Sequence, residues 1–257
     1  MQNARTLCVF RCLFSLFRSL LFRKIRLTLL QKIRQQFNQS VNRCGGWFGD
    51  REHTHIFAAD DKECNRRNLN SRAYAAAGSD ARMNGCAMPV VINSGSGNQG
   101  ITVSMPVLVY AMEYKIPEDK MLRALALSNL ISLHEKRYIG SLSAYCGATS
   151  AATGAACGIA YMLGGSYEDV CGIITNTINT TGGMVCDGAK SSCASKIATA
   201  VGMALLAMNM SEKGRVFKPG EGLVEDNVEE TIESVGRMGR EGMKSTDVEI
   251  LKIMLGK

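Results

Sequence analysis

A chain of 257 residues, 46% of them hydrophobic and 21% charged, is long and apolar enough to bury a sizeable core, which excludes an intrinsically disordered protein. Ten cysteines are too sparse at this length for a secreted disulfide scaffold, and aromatic residues, at 6%, are too scarce for a sandwich of aromatic and β-branched strands. The net charge of +7 belongs to residues 1–75, which hold 14 basic and 5 acidic residues against 16 and 18 in the remainder, so a nucleic-acid partner is not expected of the core.

Residues 1–75 differ in kind from the rest of the chain. Seven of the eight Phe fall by residue 57, and the first Pro is Pro89. Leu13, Leu16, Phe17, Leu20, Leu21 and Ile25 recur at helical spacing among Arg11, Arg18, Arg23, Lys24 and Arg26. Three readings stay open: a basic amphipathic helix on an anionic membrane, an Arg-rich transit-type leader, or an atypical start or reading frame that never evolved to pack on the core. The third is preferred. A basic residue recurs too often before Arg34 for a membrane span. The expectation is a disordered or loosely attached basic segment over 1–75 and a mainly α core over 76–257, a compact bundle of closely packed small-residue helices.

Within the core, Ser79 or Asp80 is expected to cap a helix. Next comes NSGSGNQG, Asn93 to Gly100. Its backbone N–H groups can converge on an anion, or it can be a plain glycine-rich connector; the spacing is neither a P-loop nor a dinucleotide fingerprint. Thr102 or Ser104 is expected to cap a helix with Pro106 in its first turn, ending near Tyr114. A second helix should run from Pro117 to about His134, with Met121, Leu122, Leu125, Leu130, Ile131 and Leu133 packed on more than one side. His134 reads as a surface or core histidine rather than a ligand.

The span between Arg137 and Glu168 carries no charge. Its Ser, Thr and Gly content argues against a transmembrane helix, while Ala144, Gly147, Ala148, Ala151, Ala152, Ala155 and Ala156 let backbones approach closely. Gly164-Gly165 should end this helix, Glu168 to about Asn179 should form another, and Ala194–Met210 a third. The tail shows one apolar stripe at Val224, Val228, Ile232 and Val235 and another at Val248, Leu251 and Leu255, with Glu229, Glu230 and Glu233 expected on the solvated face.

Cys146, Cys186 and Cys193 bracket this small-residue region. Cys186 and Cys193 enclose DGAKSS, which favours a loop or helix start over one uninterrupted helix. Each thiol can be a plain core residue. Three thiolates are an odd number for structural zinc and suit a cubane iron–sulfur cluster with one iron left open. Lys190, between two of them, reads either as a partner for that charge or as a solvated lysine.

SDARMNGCAMPVVINSGSGNQGIT, LSAYCGATSAATGAACGIAYMLGG and NTTGGMVCDGAKSSCASKI closely resemble the catalytic region of the L-cysteine desulfidase family, itself similar to the α-chain of iron–sulfur-dependent L-serine dehydratases. The resemblance runs from about Ser79 to the C-terminus, several motifs in order. It implies a 4Fe-4S cluster held by Cys146, Cys186 and Cys193. It also implies a substrate-binding turn, Ser94, Gly95, Ser96, Gly97 and Asn98. The implied reaction is α,β-elimination of L-cysteine to pyruvate, ammonia and sulfide; L-serine, which differs in its leaving group, is the alternative substrate. No pyridoxal phosphate is implied. Full-length members carry a large N-terminal region with a Gly-Cys-Thr-Glu-Pro motif whose cysteine is thought to be the base. No such motif stands in residues 1–78, so the base is not found in this chain, and a shortened lyase or a non-catalytic helical fragment is the expectation. The resemblance implies a small amino-acid substrate; cysteines read as reduced thiols, with no clear signal peptide, imply a cytoplasmic protein, and the expectation includes no membrane or nucleic-acid partner and room for a homo-oligomer.

Overall fold

A computed structural model describes residues 62–257 apart from Met88, Ser141 and Leu142, with side chains from Arg67 onward. The readings made of residues 1–61 lie outside the described residues. The described chain forms eight α-helices: α1 Lys62–Met83, α2 Gly97–Glu113, α3 Glu118–Ile139, α4 Gly147–Leu163, α5 Tyr167–Thr181, α6 Cys193–Ser211, α7 Val228–Arg237 and α8 Lys244–Met254, with a single π-helical turn, Met238–Gly242, between the last two. The described fold is mainly α, as the composition implies, and it contains no strand longer than an isolated bridge. α1 runs continuously across residues 75 and 76, where the composition changes.

The charge-free helix α4 is the centre. Every residue from Gly147 to Ala160 is buried, and α2, α3, α5 and α6 all pack on it. Small side chains make this possible. A Cβ on Gly154 would lie 2.3 Å from the Ser128 carbonyl oxygen of α3, and one on Gly158 would lie 2.8 Å from that of Ala124. No side chain fits there, so glycine at both positions sets how closely the two helices approach. α1 closes one side against α2 and α6, and α7 closes another against α3 and α5. Gly164, at φ 104°, ends α4 in the left-handed conformation that glycine adopts at least cost. Ser166 then opens α5 with a reciprocal cap: the Asp169 amide donates to Ser166 Oγ at 3.1 Å and the Ser166 amide donates to Asp169 Oδ2 at 2.8 Å.

Several boundaries move from their sequence expectations. Ser79 and Asp80 lie inside α1, where Ser79 is fully buried and caps nothing. α2 starts at Gly97, five residues before Thr102, because Ser96 Oγ accepts the Gln99 amide as a cap; Pro106 is then interior rather than in the first turn. α3 continues past His134 to Ile139, because Glu135 and Lys136, polar in sequence, are buried against the core. Glu229 is buried rather than solvated: its carboxylate accepts from the Tyr138 hydroxyl at 2.8 Å and faces His134 Nε2 at 2.8 Å, tying α7 to α3. The stripe at Val224, Val228, Ile232 and Val235 is buried, but Val248, Leu251 and Leu255 are exposed, and no residue of α8 is buried.

Candidate functional site

Two segments distant in sequence run antiparallel for a few residues just before α4 and just after α5. Tyr145 pairs with Val185, the Cys146 amide donates to the Met184 carbonyl at 3.0 Å, and the Cys186 amide donates to the Ala144 carbonyl at 2.7 Å. Alternate residues of extended chains share a face, so Cys146 and Cys186 become diagonal neighbours on one side of this bridge. Their thiols share a hydrogen bond. Gly188, at φ 94°, then turns the chain back, and Cys193 enters as the first residue of α6, its thiol 3.5 Å from the Gly188 carbonyl oxygen.

The three cysteines line one cavity of about 80 Å³, together with Ser96, Asn98, Gln99, Thr102 and Lys196. Three helices begin at its wall: α2 at Gly97, α4 at Gly147 and α6 at Cys193. Each helix start carries a partial positive charge, which suits an anion, although at α6 the Cys193 and Ala194 amides already donate to the Lys190 and Ser191 carbonyls. None of the three carries an acidic residue in its first turn. The glycine-rich turn aims the first of them. Ser94 and Gly95 both have positive φ, 47° and 82°, and Asn93 and Ser96 exchange two backbone hydrogen bonds across them. Positive φ at both central positions is what a type I′ turn demands. Asn93 anchors the turn on α3 by donating to Asn129 Oδ1 at 3.0 Å and accepting from Ser132 Oγ at 3.0 Å.

The thiols are unequal. Cys186 is drawn down to about 6, first by the hydrogen bond from the Cys146 thiol, against burial, and further by the Gly188 amide and the Lys196 ammonium. Cys146 is pushed up, by that same hydrogen bond and by burial. The pair therefore keeps one proton between two sulfurs and offers one ready thiolate. Lys196 Nζ donates to the Val185 carbonyl at 2.9 Å and to Asp187 Oδ1, which fixes the ammonium beside the bridge. Lys136, buried at the end of α3, loses basicity through desolvation, partly offset by the nearby Cys186 and Cys146.

Of the residues expected to touch substrate, Ser96 and Asn98 line the cavity. Gly97 lies against the Arg82 guanidinium, which donates to Asn98 Oδ1 at 2.9 Å, while Ser94 and Gly95 make the turn and stand outside the lining. Lys190 is exposed and outside the lining as well. Sequence reasoning missed Gln99, Lys136 and Lys196. Lys196 follows Cys193 by one helical turn, a signal that was available; Lys136 lies on α3, and only the fold brings it near. A larger cleft of about 440 Å³ lies elsewhere, walled by Glu225, Glu230, Glu233, Arg237 and Arg240, whose mixed charges single out no ligand.

Among the described residues no three His, Cys, Asp or Glu side chains lie close enough to hold one metal ion. A cubane cluster takes each thiolate at a different corner, so its ligands stand further apart than those of a single ion. Three thiols on three segments, sharing a cavity whose charged lining is one lysine, fit a cluster of that kind.

The geometry defines a helical protein with a thiol-lined, anion-attracting cavity. The chain belongs to the serine dehydratase alpha chain family, whose model matches residues 19–252, a match that begins upstream of Ser79. A UPF0597 protein of Lachnoclostridium phytofermentans is 54% identical over 187 residues, 73% of this chain and 45% of that one. The UPF0597 protein of Treponema denticola is 53% identical over 73% of this chain and 43% of its own. That of Latilactobacillus sakei is 42% identical over 222 residues, 86% and 49% respectively. The chain thus spans less than half the length of these relatives. No solved structure matches it. Among the described residues one helix, α6, is long and apolar enough to cross a membrane, and its Ile197, Val201, Ala204 and Leu205 are buried in the core.

Proposed function

We propose that this chain carries the cluster-binding half of an iron–sulfur-dependent lyase that converts L-cysteine and water to pyruvate, ammonia and sulfide by α,β-elimination. The observation that supports it most is the arrival of Cys146, Cys186 and Cys193, from three separate segments, in one cavity. These three would hold a 4Fe-4S cluster, which when bound supplies a Lewis-acidic iron for the leaving sulfur. The starts of α2 and α4 and Lys196 would hold the substrate carboxylate. Ser96 and Asn98 would orient it, Asn98 being itself fixed by Arg82. Among the described residues the lining contains no carboxylate and no histidine, so the base that takes the Cα proton is assigned to the region that the longer relatives have in addition. The aminoacrylate released by elimination tautomerises and hydrolyses to pyruvate and ammonia without further help from the protein. The proposal includes a cytoplasmic setting and no nucleic-acid or membrane partner.

L-Serine differs only in its leaving group, and the family's name favours it as the competing substrate. Reconstitution with iron and sulfide under anaerobic conditions is the test. The wild-type chain should bind about three to four irons, and Cys186→Ala should lose most of them. A chain that stays colourless and iron-free under these conditions sinks the lyase reading. Turnover of L-cysteine against L-serine, with the longer relative as the positive control, then decides the substrate.

A further inference from the structure

Asn98 and Gln99 are neighbours in the first turn of α2, and both line the cavity. A carboxamide has an accepting end and a donating end, and the end that faces a ligand decides what it can bind. At Asn98 that choice is made by Arg82. A guanidinium carries donors only, so the end it meets, at 2.9 Å, is Asn98 Oδ1, and the NH2 end is left without a protein partner among the described residues. Gln99 is turned the same way: Oε1 is shut inside the fold, and the NH2 end is the accessible one. The two residues are 7% and 9% exposed, so what stays accessible of them faces the cavity they line.

Arg82 holds an unfavourable place to do this. It projects from the last turn of α1 and lies across Gly97, where a Cβ would stand 2.6 Å from its Nε. Among the described residues it has no carboxylate partner. A cation at the start of a helix is repelled by the helix charge, and an anion in the cavity would relieve that repulsion. The Gln99 amide is held as well, against Gly147, where a Cβ would stand 2.4 Å from Gln99 Cδ. Both carboxamides are thus set before any ligand arrives.

We infer that the Asn98 and Gln99 NH2 groups are a donor pair for the substrate carboxylate, and that Arg82, which stands outside the lining, is a positioning residue that keeps the Asn98 carbonyl oxygen out of the cavity. This rests on the amino-acid substrate proposed above and adds the side chains that recognise its acid end. An Asn98 carboxamide released from Arg82 can turn its oxygen inward, where it opposes a carboxylate instead of binding it.

The test is calorimetric titration of the anaerobically reconstituted full chain with L-serine and with ethanolamine, the same molecule without its carboxylate. The wild type should bind L-serine at least about tenfold more tightly. Asn98→Asp keeps an oxygen for Arg82 and turns that contact into an ion pair, but it puts a second oxygen where the NH2 group stood. It should melt at or above the wild type and lose at least about tenfold in L-serine affinity, bringing the ratio close to one. Arg82→Met should lower the ratio severalfold, and Arg82→Lys, whose ammonium also only donates, should restore most of it. Wild-type affinity for L-serine in Asn98→Asp overturns the donor pair, and an unchanged ratio in Arg82→Met overturns the positioning role; either result leaves the lyase reading intact. Failure of the wild type to bind L-serine overturns both.

Discussion

The helices of this protein begin in two different ways. α3, α5 and α7 start with acidic pairs, Glu118 and Asp119, Glu168 and Asp169, Glu229 and Glu230, and side-chain caps from Ser166 and Asn227 complete the last two. α2, α4 and α6 start at the cavity with no acidic residue in the first turn. A helix start carries roughly half a positive charge. The first group answers that charge with its own carboxylates. The second group has no carboxylate of its own to answer it, and Lys196, whose ammonium Asp187 offsets in part, adds a positive group to the same wall. The site is therefore marked by what its helices lack as well as by its thiols.

Glycine substitutions should break this arrangement most severely. A Cβ on Gly100 would lie 1.9 Å from the Val91 carbonyl oxygen, and backbone cannot swing aside. Gly100→Ala should cost about 1–3 kcal/mol or more of stability, read by chemical denaturation, because α2 and its turn must separate. At Gly147 the nearest atoms a Cβ would meet belong to the Gln99 side-chain amide rather than to backbone. Gly147→Ala should keep most of its stability and still lose about tenfold in amino-acid affinity. Equal loss of stability in the two variants would mean that the α4 start is not a binding wall.

A milder substitution sharpens the comparison. Ser195 is exposed in the first turn of α6. Ser195→Glu gives a cavity-facing helix the carboxylate that the other group already has. Stability should rise by about 0.3–1 kcal/mol, while affinity for an anionic ligand falls severalfold. Asp169→Asn, which weakens the cap of α5, should do the reverse: a loss of about 1 kcal/mol and no change in binding. Parallel changes in both variants would show that the helix starts at the cavity are ordinary ones.

The fold was legible wherever local chemistry dominates. Gly164, Gly182 and the uncharged run of α4 give the middle helices their ends and their burial, and those helices lie where the pattern places them, to within a residue or two. The errors arise where a tertiary partner overrides the local signal. Glu229 looks solvated until His134 and Tyr138 of α3 meet it, and Ser96 caps a helix that Pro106 seemed to begin. At the cavity, the cysteines are visible in sequence because three of them bracket one region. Gln99 was not, because its importance depends on Gly147, 48 positions away, having no side chain. Lys136 was hidden for the same reason: nothing in EKRY indicates burial.

Glu135 looks like an exception to the comparison, and it offers the smallest and most specific test. It is an acid beside Ser150, close to the start of α4, and were it charged it would cancel part of what α4 offers the cavity. Burial pushes its carboxyl well above the usual carboxylate range, against lesser opposing effects from Ser150 and the neighbouring Lys136. Neither carboxyl oxygen has a protein hydrogen-bond partner of good geometry, and Tyr145, whose hydroxyl is likewise buried and unpartnered, is raised in turn by burial and then by Glu135. A neutral Glu135 leaves the α4 charge intact, and its raised value sets the sign of its pH dependence. Near pH 4 the group is largely protonated both folded and unfolded and biases neither state; above the ordinary glutamate value near 4.3 the unfolded chain releases the proton first, so stability falls as pH rises toward the folded value. Glu135→Gln, neutral at every pH, should melt together with the wild type at pH 4 and a few degrees above it at pH 8. A variant that melts lower than the wild type at pH 8 would mean that the carboxylate is ionised and held by Lys136, and that α4 begins with its charge already answered.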